Sequence, residues 1–283
     1  MNYRHAFHAG NFADVMKHAL LVRMLLHLRR KETPFRFIDT HAGLGFYDLT
    51  ASEAERTGEW REGVGRLDAP LPDAAEALIA PYREILAATQ ARHGPHTYPG
   101  SPAIARELLR RQDQAVLVEK HPADAVTVTG RFNTVRNVKV LEMDGWVALR
   151  SLIPPRERRG LVLVDPPYEE PGELAKAVEA LSRANRKWPS GMLALWYPVK
   201  RADEVDRAMS HLTTEPPAPV LRLELLLELP NDPARLSGCG LLVVNPPWTL
   251  ASEARTLLEA LAERLGRRQA SVVVEAYDRR VGP

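Results

Sequence analysis

Apolar residues along this chain fall into two alternating periods, and the alternation predicts an α/β fold. Residues 11–31 place Val15, Ala19, Val22 and Leu26 at helical spacing, as in an amphipathic helix. Asn11 is a candidate N-cap, with Asp14 three positions on to bond back. The basic trio at 29–31 suits the negative end of that helix's dipole. A short apolar strand follows at 35–38, then a turn reading Asp39-Thr40-His41-Ala42-Gly43-Leu44-Gly45. Further apolar runs at 115–118, 138–141, 161–164 and 192–196 alternate with helical patterns at 122–132, 144–152 and 171–186. Short apolar strands separated by helices predict a parallel sheet covered on both faces. The last third differs. Residues 220–229 and 239–244 flank a turn-rich segment with Asn231-Asp232-Pro233, which predicts an antiparallel hairpin. A helix at 250–266 and a strand at 271–276 follow, and the Pro-rich stretch at 215–219 reads as a loop.

One stretch breaks the alternation. Residues 48–97 are polar, with helical patterns at 51–66 and 73–92 and little strand signal, where a simple α/β domain would reach its second strand. They predict a helical insertion. Tyr98-Pro99-Gly100-Ser101-Pro102 returns the chain to the core and starts a helix at 102–111.

Composition bounds the setting. With 283 residues, 45% of them apolar, the chain can bury a sizeable core. The single cysteine, Cys239, excludes an intramolecular disulfide framework and a multi-cysteine zinc site. The N-terminus MNYRHAFHAG has no apolar signal core, and no apolar run approaches the length of a membrane span. A cytoplasmic monomer with no membrane association is expected. The net charge is only +2, but basic residues cluster at 29–31, 156–159, 183–187, 200–201 and 264–268. Each cluster reads first as a solvated helix end or loop, and each could also meet phosphate.

The strongest chemical signal is Leu161-Val-Leu-Val-Asp165-Pro166-Pro167-Tyr168. Two prolines stop a buried strand abruptly. The Asp165 carboxylate and the Pro166 carbonyl then project where open α/β sheets bind ligands. Two acceptors converging on one amine hold both its hydrogens and leave its lone pair free to attack an electrophile. Tyr168 offers a face on which a base lifted from its stack could rest. Leu241-Leu-Val-Val-Asn245-Pro246-Pro247-Trp248 has the same form. Chain order separates the two. Asp165 follows the fourth strand, which neighbours the first across the switch point of a doubly wound sheet, whereas Asn245 ends a late hairpin strand and reads as a structural turn.

Weaker signals support the same crevice. Gly43 in the turn after the first strand lets backbone approach a ligand closely. The turn lacks dinucleotide spacing and a phosphate-loop lysine, which suits a nucleoside carrying methionine rather than a pyrophosphate. Glu119, ending the second strand, is placed to accept from ribose hydroxyls. Asp144-Gly145, after the third, would meet the adenine. Lys17 and His18 could reach the methionine carboxylate, and Tyr3, Arg4 and His5 the target nucleotide. Three histidines and Asp14 near the N-terminus match no standard metal spacing, so no metal is expected.

Tyr-Arg-His-x-Phe-His-Ala-Gly-Asn-x-Ala-Asp-Val-x-Lys-His at 3–18, Asp-Thr-His-Ala-Gly at 39–43, Tyr-Pro-Gly-Ser-Pro at 98–102, Asp-Pro-Pro-Tyr at 165–168, Leu-Trp-Tyr-Pro at 195–198 and Asn-Pro-Pro-Trp at 245–248 closely resemble the bacterial RlmJ family. Its members are adenine-N6 methyltransferases of large-subunit ribosomal RNA. The resemblance runs along nearly the whole chain and is weakest in the insertion. It implies one Rossmann-like class I methyltransferase domain over 1–283, with a mostly parallel sheet of seven or slightly more strands and a helical subdomain inserted at 48–97. It implies S-adenosyl-L-methionine contacts at Lys17, His18, His41, Ser101, Glu119, Asp144, Gly145 and Asp165, to which the glycine-turn reading adds Gly43. It further implies that Asp165, with Pro166 and Tyr168, is catalytic, that Tyr3 or His5 lies near the substrate adenine, and that 23S rRNA is the partner. Guanine-N2 rRNA and DNA adenine methyltransferases also carry Asp-Pro-Pro-aromatic motifs, and protein glutamine methylation goes with Asn-Pro-Pro-Tyr. The N-terminal block argues against the two nucleic-acid alternatives, no DNA target-recognition domain is evident in this length, and only Asn245 would point to glutamine. A non-catalytic RNA-binding assembly factor would not need the acid set Glu119, Asp144 and Asp165.

Overall fold

The computed structural model describes residues 5–214, 216, 218–230, 235–267 and 269–278. After a 3-10 turn at His5–Phe7 comes helix α1 (Phe12–Arg29), capped by Asn11, whose side chain accepts from the N–H groups of Ala13 and Asp14. The helix is less one-sided than its spacing predicts. Val15, Met16, Leu20, Leu21, Val22, Met24 and Leu25 are all fully buried. A helix that is apolar on most sides belongs inside a fold, and α1 lies under the sheet with helices on its other sides.

The remaining elements alternate as expected. β1 (Arg36–Asp39) leads into a small hairpin of β2 (Phe46–Asp48) and β3 (Thr97–Pro99), between which lie α2 (Ser52–Thr57), two 3-10 turns (Glu59–Glu62 and Val64–Leu67) and α3 (Asp73–His93). Then come α4 (Ser101–Leu108), β4 (Gln114–Glu119), α5 (Pro122–Phe132), β5 (Val138–Glu142), α6 (Gly145–Ser151), β6 (Gly160–Val164), α7 (Glu173–Lys187), β7 (Met192–Val199) and α8 (Ala202–Thr214). The chain ends with β8 (Val220–Leu226), β9 (Gly238–Val244), α9 (Leu250–Leu265) and β10 (Ser271–Tyr277).

Eight strands form one sheet in the order β10-β8-β9-β7-β6-β1-β4-β5. The run β7-β6-β1-β4-β5 is wholly parallel. β9 is antiparallel to both β7 and β8, and β10 is antiparallel to β8. This is the expected Rossmann-like class I architecture, at the upper end of the expected strand count. Alternate residues of each strand feed two cores. Phe37, Leu117 and Leu163 pack with α1, α3, α4, α5 and α9, while Ile38, Val116 and Val162 pack with α6, α7 and α8.

Two sequence expectations need correction. The helical pattern at 51–66 is one short helix and two 3-10 turns, because Gly58 adopts φ 62° and Gly63 interrupts again. The insertion is also not purely helical, since β2 and β3 pair antiparallel at its base with Tyr47 opposite Tyr98. One helix was absent from the sequence reading. α8 is polar apart from Val205, Met209 and Leu212, whose spacing suffices to bury them.

The insertion closes onto the start of α1. The Val64 N–H donates to the Gly10 carbonyl at 2.8 Å, and the Asn11 side chain and His8 both reach Glu59. Gly63 fits here because it lacks a side chain; a Cβ would stand 2.2 Å from the Gly10 oxygen and 2.4 Å from the Asn11 carbonyl carbon. Gly63→Ala is therefore expected to cost about 1–3 kcal/mol of stability, as overpacking against backbone does. Denaturant unfolding would measure it beside Gly65→Ala, whose nearest contact is an easier 3.2 Å.

Candidate active site

The crevice lies at the C-terminal ends of β1, β4, β5 and β6, at the point where the chain order reverses between β1 and β6. β6 delivers Asp165 and the two prolines to its centre. Tyr168 then takes a left-handed backbone conformation, φ 52°, which turns its ring back toward the sheet. Its hydroxyl donates to the Trp196 carbonyl at 2.6 Å, and the two rings sit tilted with centroids 5.9 Å apart.

Asp165 is tied to the N-terminal helix. The Lys17 ammonium donates to Asp165 Oδ2 at 2.6 Å and reaches Asp14 Oδ1 at 2.8 Å. Asp14 Oδ2 accepts from the Gly10 N–H at 2.9 Å and lies 3.0 Å from His5 Nε2. Asp14 thus bonds back past the cap residue, one position further than the sequence suggests. Burial alone would lower the Lys17 ammonium, but the two carboxylates hold it well above the usual lysine range. Burial would likewise raise Asp14, while His5, Lys17 and His18 hold it well below the usual carboxylate range. Both groups are therefore charged at neutral pH.

The glycine turn is pinned to the neighbouring strand. Gly43, at φ 59°, donates its N–H to Glu119 Oε2 at 2.8 Å, and Glu119 Oε1 accepts the His121 N–H at 2.8 Å. The next helix packs directly on this turn. A Cβ on Gly145 would lie 2.5 Å from the Thr40 oxygen and 2.7 Å from the His41 ring, so only glycine allows the approach. Asp144 caps α6 through the N–H groups of Trp146 and Val147, and its other oxygen meets the Lys120 ammonium at 2.9 Å.

Two chambers open on either side of Asp165. The first is lined by residues including His41, Gly43, Ser101, Glu119 and Asp165. It continues into a groove bordered by Lys120, Asp144, Gly145 and Trp146, with His41, Glu119 and Pro167 shared between them. The second is lined by residues including His5, Asn11, Lys17, Tyr168 and Trp196. Asp165, Pro166, Pro167, Lys17 and His5 border both chambers. Gly43 and Asp165 thus open onto one pocket, as the sequence order requires.

The predicted residues divide accordingly. Lys17, His41, Gly43, Ser101, Glu119 and Asp165 meet in the first chamber. Asp144 and Gly145 stand in the adjoining groove, with the Asp144 carboxylate already occupied as a cap and ion pair. His18 borders the first chamber but is almost fully buried, with Nδ1 2.8 Å from the Tyr98 hydroxyl; burial pushes its pKa down to about 3, so it is neutral. Tyr3 and Arg4 lie outside the described residues. Asn245 is remote, since β9 runs antiparallel and ends beside the start of β7, with Val244 opposite Leu193. Among the described residues no group of three or more His, Cys, Asp or Glu is placed to hold a metal ion, and no helix is long and apolar enough to cross a membrane.

The sequence marks Asp14 as a cap and a rejected metal ligand, gives Tyr47 no role, and shows Trp196 only within the Leu-Trp-Tyr-Pro motif at 195–198. The spacing of Asp14 and Lys17, one helical turn apart, was the available signal. Tyr47 carries no such signal, because its position depends on the insertion, and the motif around Trp196 does not say that its ring meets Tyr168. Asp39 was also passed over. It is fully buried at the end of β1, and burial pushes its pKa up to about 7, further than the His41 N–H beside it offsets. An acid raised in the folded state binds more protons there than when unfolded. Stability is then greatest near the unfolded value of 3.8 and falls as pH rises toward 7. Asp39→Asn, which mimics the protonated acid, should remove that slope. Denaturation at pH 5 and pH 8 should show the variant gaining on the wild type at the higher pH, on the order of a few kcal/mol.

Comparison with known proteins gives consistent matches. A family model described as "Ribosomal RNA large subunit methyltransferase D, RlmJ" matches residues 32–276. A Haemophilus influenzae protein named "Ribosomal RNA large subunit methyltransferase J" is 37% identical over 268 residues, covering 94% of each chain. An Escherichia coli protein of the same name is 38% identical over 267 residues, again covering 94% of each. The crystal structure of protein LPL1258 from Legionella pneumophila superposes with a TM-score of 0.84 at 32% identity, covering 96% of this chain and 99% of that one.

Proposed function

Because this chain belongs to the RlmJ family of ribosomal RNA large subunit methyltransferases, we propose that it transfers a methyl group from S-adenosyl-L-methionine to the exocyclic N6 amine of an adenine in 23S rRNA. One observation carries this reading: Asp165, Pro166 and Pro167 form a wall common to two chambers. Reactants in the two chambers would meet at that wall.

The first chamber fits the methyl donor. The Gly43 turn lines it with backbone, and the adjoining groove, bordered by His41, Gly145 and Trp146, would take a purine. The Glu119 carboxylate is fixed by two backbone N–H groups and keeps lone pairs for ribose hydroxyls. Lys17 borders the same chamber, its ammonium shared by Asp14 and Asp165. When bound, the donor supplies a sulfonium-activated methyl, so the chain needs no strong base.

The second chamber fits the target base. Asp165 and the Pro166 carbonyl would accept both hydrogens of the amine and aim its lone pair at the first chamber. The Lys17 ammonium already donates to Asp165 Oδ2, which leaves Oδ1 to accept from the amine. The Tyr168 ring, held by its hydroxyl on Trp196, offers a fixed stacking face worth roughly 1–3 kcal/mol. That is comparable to the few kcal/mol that unstacking a base costs. Most of the acceleration would come from positioning, which can supply roughly 7–11 kcal/mol. Asp165 would take the amine proton late.

Asp165→Ala should abolish transfer of radiolabelled methyl to 23S rRNA while calorimetry still detects donor binding. Turnover near wild type would sink the mechanism. Mass spectrometry of rRNA nucleosides after reaction should find N6-methyladenosine. N2-methylguanosine would move the target to the neighbouring class, and no methylation with intact RNA binding would favour an assembly factor.

A further inference from the structure

The Asn245–Trp248 turn has no part in the crevice, yet it is built with care. β1, β4, β6 and β7 begin together at the N-terminal edge of the sheet, and β9 ends there. Asn245 sits at φ 54°, its N–H donating to the Pro219 carbonyl and its side-chain amide to the carbonyls of Pro189 and Gly191, each at 2.8 Å. Two prolines follow, so the turn is fixed on both sides. What it presents is Trp248, 79% exposed, with the Arg30 guanidinium 5.8 Å from the ring centroid.

The same edge is strongly basic. The end of α1 and the residues after it supply Arg29, Arg30 and Lys31, the turn before β4 supplies Arg111, and the loop before β6 supplies Arg156 and Arg158, all exposed. These segments are braced together. Arg110 donates to the Lys31 carbonyl at 2.9 Å, and the Trp188 indole donates to the Arg158 carbonyl at 3.3 Å. The acids nearby do little to offset this charge. Asp113 is buried against Arg110, Glu157 is bound to Arg36, Glu253 to Arg23, and Glu32 lies 3.7 Å from Arg110. A chain of net charge +2 thus concentrates cations on one edge.

We propose that this edge is a second RNA-contact surface, on which Trp248 stacks an unpaired base and the arginines meet phosphates. A rigid aromatic among cations is the construction that binds single-stranded nucleic acid. The proposal rests on RNA being the substrate. The edge lies across the sheet from the crevice, roughly 17 Å by the five residues of β6, so a large folded RNA would touch both.

Filter binding of in vitro transcribed 23S rRNA to the full chain, with methyl-transfer kinetics alongside, tests it. Trp248→Ala should weaken rRNA binding and raise its KM roughly tenfold, the scale of one lost base–aromatic stack, with kcat and donor affinity unchanged. Trp248→Phe, which keeps a stacking face, should restore most of the loss. In the double variant Arg30→Gln/Arg156→Gln, the dependence of log affinity on log salt should be shallower by about 1.4, for two single-strand phosphate contacts. Unchanged rRNA affinity in both the Ala and the Gln variants overturns the proposal and leaves a protein or a second copy of the chain as the occupant of Trp248. Failure of the wild type to methylate rRNA is a separate result. It would strike the proposed reaction, while filter binding still decides the edge.

Discussion

A buried lysine between two carboxylates holds the crevice together. Side-chain exposure is 5% for Lys17, 1% for Asp14 and 17% for Asp165, so water screens these contacts weakly. Each buried ion carries a desolvation cost of several kcal/mol that only well-made partners offset. Here the partners are complete on the Asp14 side, with an ammonium, a backbone N–H and the His5 ring. Asp14 sits in the first turn of α1, where the helix dipole is positive. The arrangement therefore needs α1 to begin where it does, and the Asn11 cap is what sets that start.

The same constraint explains why residues before β1 matter to chemistry at the end of β6. A sheet alone would leave Asp165 facing open solvent. α1 crosses beneath the sheet and brings Lys17 to the strand end. The insertion then fastens the segment ahead of α1, through His8 and Asn11 on Glu59, Val64 on Gly10, and the Thr57 hydroxyl on the Phe7 carbonyl. His5 stays at the mouth of the second chamber as a result, its ring edge-on to Tyr47, which belongs to the hairpin at the base of the insertion. Polar residues that look dispensable in sequence thus hold a wall of the crevice.

This division accounts for what was legible in the sequence. The sheet was readable because its central strands are buried on both faces and so appear as uninterrupted apolar runs, such as Leu161–Val164. The crevice was readable because glycine and proline mark chain reversals by their own backbone limits. The insertion was less so. Its 3-10 turns and two three-residue strands owe their shape to docking on α1, and short elements carry little periodicity of their own. The state of Asp144 was hidden for a different reason. An acid before a helix reads equally as a cap or a ligand contact, and here it is a cap, bonded also to Lys120.

Asp165 and Asn245 show how far a tetrapeptide can be read. Both end a buried strand and both precede two prolines and an aromatic. Strand direction sends them to opposite edges, because β6 is parallel to β1 and β9 is antiparallel to β7. Hydrogen-bond polarity separates them further. Asp165 accepts from an ammonium, whereas Asn245 must donate from its amide to two carbonyls, which an aspartate could not do. The left-handed residue also moves. In the first turn it is Tyr168, which folds the ring inward onto Trp196. In the second it is Asn245, and Trp248 is thrown outward. The aromatic in one case floors a chamber and in the other stands in solvent among cations. The first residue's chemistry and the position of a single positive φ, not the shared prolines, decide which.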